Sequence, residues 1–75
     1  MNRKPTQTEM ILRYIDEYGS ITSLDAMREL GVMRLASRIS ELRKSGYPIE
    51  SKVEKVKNRY GETCWVKRYQ MEENN

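Results

Sequence analysis

The run Leu35-Ala36-Ser37-Arg38-Ile39-Ser40-Glu41-Leu42-Arg43-Lys44-Ser45-Gly46-Tyr47-Pro48-Ile49 carries a helical period that ends abruptly. Leu35, Ile39 and Leu42 fall in one narrow arc of a helical wheel, with Ala36 and Arg43 flanking, so that face is expected to pack inward. Arg34, Ser37, Ser40, Glu41 and Lys44 point away from it, and Arg38 lies at the margin. Gly46 closes the helix, and Tyr47-Pro48 forbids its continuation because the residue before a proline avoids the helical region.

Reading toward the N-terminus, the tight turn Gly31-Val32-Met33 joins this helix to an earlier one. There Leu24, Met27 and Leu30 recur as an apolar face, Thr22 and Asp25 have the spacing of a helix cap, and Gly31 supplies the left-handed stop. Ser20-Ile21-Thr22 is long enough for an extended link or a single sheet bridge. Further back, Thr6-Gln7-Thr8-Glu9 is a T-x-x-E capping box, followed by Ile11, Tyr14, Ile15 and Tyr18 at helical spacing and by Gly19. Three helices are thus expected near residues 7–18, 23–30 and 34–45.

Beyond Pro48 the period changes to that of strands. Residues 49–56 and 63–70 alternate with β-branched and aromatic side chains, and the sequence between them has turn chemistry, which predicts a hairpin. Trp65 and Tyr69 are expected to share a strand face and pack on the helices, leaving Val66 and Arg68 on the other. A chain with no phenylalanine must fill its core with other rings, so Trp65, Tyr14, Tyr18, Tyr47 and Tyr69 are read as core. The hairpin tip, with Lys57, Arg59 and Tyr60, offers charge without a fixed geometry. Residues 1–5 read as a flexible basic arm, 6–70 as the domain, and 71–75 as a frayed acidic tail.

In order and spacing these elements resemble a winged helix-turn-helix domain, an α+β fold in which a three-helix bundle carries a C-terminal hairpin wing. The likeness is strongest over Leu35–Ile49, which is similar to small DNA-binding winged-helix proteins of phages and prophages. That resemblance implies a third helix in the DNA major groove and a wing on the backbone or minor groove. It places Arg34, Ser37, Arg38, Ser40, Glu41 and Lys44 at the groove and Lys57, Asn58, Arg59 and Tyr60 on the wing. Many helix-turn-helix motifs have a small residue four positions before the turn glycine; here that position is Met27, with Ala26 one earlier.

Composition agrees with a binding module. The chain has 75 residues and a formal charge of +3. A domain of this size buries only about 60 % of its unfolded surface, too little for a second domain or a large catalytic cleft. The charge is uneven. Residues 1–31 carry four basic and five acidic groups, whereas residues 32–69 carry ten basic and four acidic, an imbalance suited to a polyanion. Without histidine, and with Cys64 as its single cysteine, the chain lacks a zinc-ligand set, an internal disulfide and the usual general base. No enzymatic activity, metal or cofactor is expected. The basic start has no apolar stretch behind it, so a cytoplasmic location is expected.

Double-stranded DNA is therefore the expected partner, with the chain acting as a transcriptional regulator or accessory factor. A different class is a protein-interaction module, such as a phage-encoded inhibitor docking on a host enzyme. The sequence leaves open a homodimer or another protein partner.

Overall fold

Capping chemistry sets the start of each early element. The computed structural model describes residues 4–72, and parts of the expected arm (1–3) and tail (73–75) lie outside them. Thr6 Oγ1 accepts the Glu9 amide at 3.2 Å and opens α1 (Gln7–Tyr18). At its far end Gly19 takes φ 89°, and its amide donates to the Ile15 carbonyl at 2.7 Å; an L side chain would be strained there. After β1 (Ile21–Thr22), the Thr22 hydroxyl accepts the Asp25 amide at 3.2 Å while the Asp25 carboxylate accepts the Thr22 amide at 3.0 Å. This reciprocal box starts α2 (Ser23–Asp25).

The second helix then departs from the expected geometry. Residues Ala26–Leu30 form a π-helical turn, and the Gly31 and Val32 amides both reach back to the Ala26 carbonyl. A π turn accommodates one residue more than an α turn, so the face presented inward shifts by about one position. Ala26 is fully buried, whereas Leu24 and Met27, expected on the apolar face, are 53 % and 44 % exposed. The same shift resolves the sequence irregularity. The small residue sits five positions before Gly31 instead of four, and the wider turn still brings it against the core.

The third helix, α3 (Leu35–Lys44), begins one residue later than expected, because Arg34 has the non-helical φ −120°, ψ 60° of a cap position. Leu35, Ile39 and Leu42 are buried as the period predicts, but Ala36 is exposed. Two long strands follow, β2 (Ile49–Lys57) and β3 (Thr63–Met71), paired antiparallel in unbroken register from Ile49 opposite Met71 to Lys57 opposite Thr63. Strand β1 adds to the other edge of β3 through Ile21 opposite Tyr69 and Thr22 opposite Arg68, giving the sheet order β1-β3-β2. Met71 ends β3 and the Glu72 amide donates to the Pro48 carbonyl at 2.8 Å. Ordered pairing thus runs past residue 70, into what was expected to be a frayed tail.

The core lies where the three helices meet the base of this sheet. Ile11 and Ile15 come from α1, Ile21 from β1, Leu35, Ile39 and Leu42 from α3, and Ile49 and Tyr69 from the hairpin. Aromatic filling is far less than expected: Tyr69 is 6 % exposed, but Tyr18 is 64 %, Tyr47 41 % and Trp65 67 % exposed. Trp65 and Tyr69 do share a face, as strand alternation requires. The pairing with β1 ends at Arg68, however, and three residues farther along the sheet Trp65 is left 67 % exposed. Tyr14 is half-buried with its ring 4.5 Å from that of Tyr18. Desolvation, and then the carboxylates of Asp25 and Glu29, hold its phenol above the ordinary tyrosine range.

Burial therefore separates two aromatic residues on one strand. Tyr69→Ala should lower the unfolding free energy by about 3 to 5 kcal/mol, as expected for emptying a buried aromatic site. Trp65→Ala should change it by less than about 0.5 kcal/mol, as for an ordinary surface substitution. Urea unfolding followed by circular dichroism measures both.

Candidate nucleic-acid interface

The outward face of α3 is built from short side chains with cations at its ends. Ser37, Ser40 and Lys44 lie opposite the buried Leu35-Ile39-Leu42 stripe, and Ala36 and Glu41 flank them. Short side chains let a helix backbone come close to a groove floor, where amide, hydroxyl and carboxylate groups can meet base edges. Arg34 stands exposed at the cap position, with no side-chain hydrogen bond to the helix. Its guanidinium is free to reach past the first turn.

Arg38 is placed differently. Its Nη1 lies 3.2 Å from Glu41 Oε1, one turn on, while its Nε is buried without a hydrogen-bond partner. Both members of this pair are partly exposed, so the pairing is worth little. It nevertheless turns the Arg38 head along the helix, and of the two arginines Arg34 is the freer.

Arg43, read from sequence only as flanking the core, joins the helix to the hairpin. Its Nε donates to the Ile49 carbonyl at 2.9 Å, and its guanidinium carbon lies 5.9 Å from the Tyr69 ring centroid. One side chain thus contacts the first residue of β2 and the buried ring of β3, fixing the hairpin relative to α3. A charge-assisted hydrogen bond of this kind is among the stronger ones available to a side chain.

At the far end of the hairpin, the tip has a defined geometry where none was expected. Asn58 Oδ1 accepts the Tyr60 and Glu62 amides at 2.9 and 3.0 Å, and its Nδ2 donates to Glu62 Oε1 at 3.2 Å. The Asn58 amide in turn donates to the Glu62 carbonyl at 2.9 Å, and Gly61 takes φ 80°. Asparagine is suited to closing a turn on its own backbone. The Asn58 side chain is engaged within the loop, while Lys57, Arg59 and Tyr60 are exposed around it, Tyr60 by 83 %.

The stem of the hairpin is two-faced. Glu50 and Glu54 share one face with Arg68 and Gln70, and the pairs are closed by Arg68 Nε to Glu54 Oε1 at 2.9 Å and Gln70 Nε2 to Glu50 Oε1 at 2.7 Å. Arg68 also donates through Nη1 to Ser20 Oγ at 3.0 Å, tying the sheet to the segment before β1. The opposite face carries Lys55, Lys57 and Lys67 with Trp65 and Val53, and no acidic residue. Lys55 and Lys67 were not singled out from the sequence, and Trp65 was read there as core. Their signal was the alternation itself, read across two strands once the register is known.

The family model of the winged helix-turn-helix domain matches residues 6–74, and the α1-β1-α2-α3-β2-β3 order with a β1-β3-β2 sheet and a projecting hairpin agrees with it. The chain belongs to that family. No curated protein and no solved structure shows a significant match to it. Winged helix-turn-helix membership points to DNA binding in general, with α3 at the position of the family's recognition helix and the β2–β3 hairpin at that of its wing. Among the described residues, no helix is long and apolar enough to cross a membrane and no group of three or more His, Cys, Asp or Glu residues could hold a metal ion.

The wing tip supplies a direct test of this geometry. Asn58→Ala should speed hydrogen exchange at the Tyr60 and Glu62 amides, which lose their acceptor. Global stability should fall by only about 1 kcal/mol or less, the net worth of an exposed hydrogen-bond set. Unchanged exchange at both amides would show that the backbone alone holds the loop.

Proposed function

We propose that this winged helix-turn-helix protein is a sequence-recognising binder of double-stranded DNA, acting as a regulator or accessory factor of phage type. The observation that carries the reading is the outward face of α3, where small residues are bracketed by the exposed cations Arg34 and Lys44. In this reading α3 enters the major groove. Arg34 takes a guanine edge, Ser37 and Ser40 permit close approach, and Glu41, where it leaves Arg38, accepts from a cytosine amino group. Lys44 at the helix end and Lys57, Arg59 and Tyr60 on the wing contact phosphates and set the register. The protein is a binding module and not an enzyme, and it works in the cytoplasm beside its DNA.

The energetic division follows from the two kinds of contact, since base edges specify whereas phosphates position. A preferred site is obtained by enrichment from a randomised duplex pool, and each variant is measured on that site and on random duplex. Arg34→Ala should cost about 1 to 3 kcal/mol on the preferred site and little on random duplex. Arg59→Ala should weaken both alike and reduce the salt slope by about one unit. For about four to six phosphate contacts, log affinity of the unaltered protein should fall against log salt with a slope of about −3.5 to −5.5. Failure to bind any duplex at low salt would leave the protein-docking role in its place.

A further inference from the structure

Apart from Lys57, the proposed duplex interface leaves one face of the wing unexplained. Trp65 is the chain's single tryptophan and is 67 % exposed, although burying so large a ring is the usual way a small domain gains stability. Lys55 stands directly across from it in the sheet, and Lys67 follows two residues along on the same face. Lys57 extends the row toward the tip, and all three lysines are exposed. Among the described residues none of the three is held in an ion pair, whereas the hairpin's carboxylates Glu50, Glu54 and Glu62 all accept hydrogen bonds elsewhere. Beside the ring lies a shallow recess of about 290 Å³, lined by Ser23, Leu24, Trp65, Val66 and Lys67. The recess opens where β1 stops pairing with β3, so its walls are the start of α2 and the uncovered edge of β3.

We infer that this face binds an unpaired nucleotide, with the base stacked on Trp65 in the recess and the flanking phosphates held by Lys55, Lys57 and Lys67. Charge selects the occupant: a face with three exposed cations and no carboxylate attracts a polyanion and repels a second copy of itself, so phosphates are the groups suited to neutralise it. The ring selects its form. In an intact duplex the base faces are hidden by their neighbours, so a flat aromatic surface with a slot beside it gains most from a base that is already unstacked. Single-strand binders combine the same two parts, a cationic track and an aromatic platform, and tolerate any base because each has a π-face. The inference rests on the chain being a nucleic-acid binder but not on α3 reading a duplex. The wing would then favour melted or single-stranded DNA adjoining the duplex site.

Trp65 reports on its own occupancy, because no other tryptophan contributes to the emission. The probe is a thymidine single strand of about twelve nucleotides, within the usual range of site sizes, compared with an intact duplex. Binding of the single strand should quench Trp65 emission in a salt-dependent manner. Trp65→Ala, followed by anisotropy of a labelled strand, should weaken single-strand binding by at least about fivefold, the lower end of the loss for one stacked base. Its duplex affinity should stay within about twofold, and Lys55→Ala with Lys67→Ala should weaken the single strand further. Arg34→Ala should leave single-strand binding unchanged. Duplex binding without quenching by the single strand would overturn this inference and leave the duplex reading intact. Equal losses on both probes for Trp65→Ala would make the ring a general wing contact and also overturn it. Quenching that rises with protein concentration alone would give the face to a second copy of the chain. If neither probe binds, both readings fall together.

Discussion

Tyr69 opposite Ile21 is the seam through which the hairpin belongs to the rest of the molecule. A two-stranded hairpin alone is marginally stable in water, and in this one only Ile49 and Tyr69 are buried. What holds it is the short strand β1, which converts a ribbon into a three-stranded sheet at its base, and Arg43, which bonds the Ile49 carbonyl while lying over the Tyr69 ring. The relative placement of α3 and the wing is therefore set by one end of the sheet. Beyond residue 67 toward the tip the hairpin projects with no buried side chain, and the molecule is long in one direction for that reason, with extents of 48 × 33 × 21 Å.

The π turn does for the helical half what that seam does for the sheet. A regular α-helix over residues 23–30 would have turned Leu24, Met27 and Leu30 inward together. With the wider turn, Ala26 sits against the core and Leu24 is released to the surface, where it forms a wall of the recess beside Trp65. The local backbone irregularity and the exposed tryptophan are thus parts of one surface. Two apolar side chains exposed next to each other are a cost to solubility that a folded domain normally avoids, and a row of lysines on the same face offsets it.

The two proposed binding surfaces differ in the kind of order they offer. On α3, side chains project from a rigid helix whose inward stripe is fully buried, which suits contacts that must meet base edges within hydrogen-bond tolerance. On the wing, the backbone is fixed by an unbroken ladder and by Asn58 at the tip, but Lys55, Lys57 and Lys67 are long, exposed and, among the described residues, held in no ion pair. Such groups favour phosphate, whose recognition needs charge more than fixed direction. The stem carboxylates Glu50 and Glu54, in contrast, are spent on cross-strand bonds on the other face, so the separation of charge along the stem is produced by alternation along two strands.

The sequence by itself determined the elements, because their signals are local. Thr6 and Thr22 with their capping partners, the stripe Leu35-Ile39-Leu42, Tyr47-Pro48 and the strand period beyond it were read from neighbours a few residues apart, and the helices and strands fall within about one residue of those readings. The outward set on α3 was legible for the same reason, since a helix fixes the direction of each side chain relative to its stripe. Burial on the hairpin and in the second helix was not legible, because it depends on what lies opposite a residue and not on its own neighbours. Trp65 and Tyr69 have the same alternation and similar chemistry, yet only the second stands where β1 and α3 cover the sheet. Ala26 and Met27 exchanged roles through one extra residue in a turn, a change of backbone hydrogen bonding that leaves no local mark in the side chains. Arg43, Lys55 and Lys67 acquired their places only when strands far apart in the chain were brought into register, so tertiary structure alone decided which cations hold the fold together and which are left free.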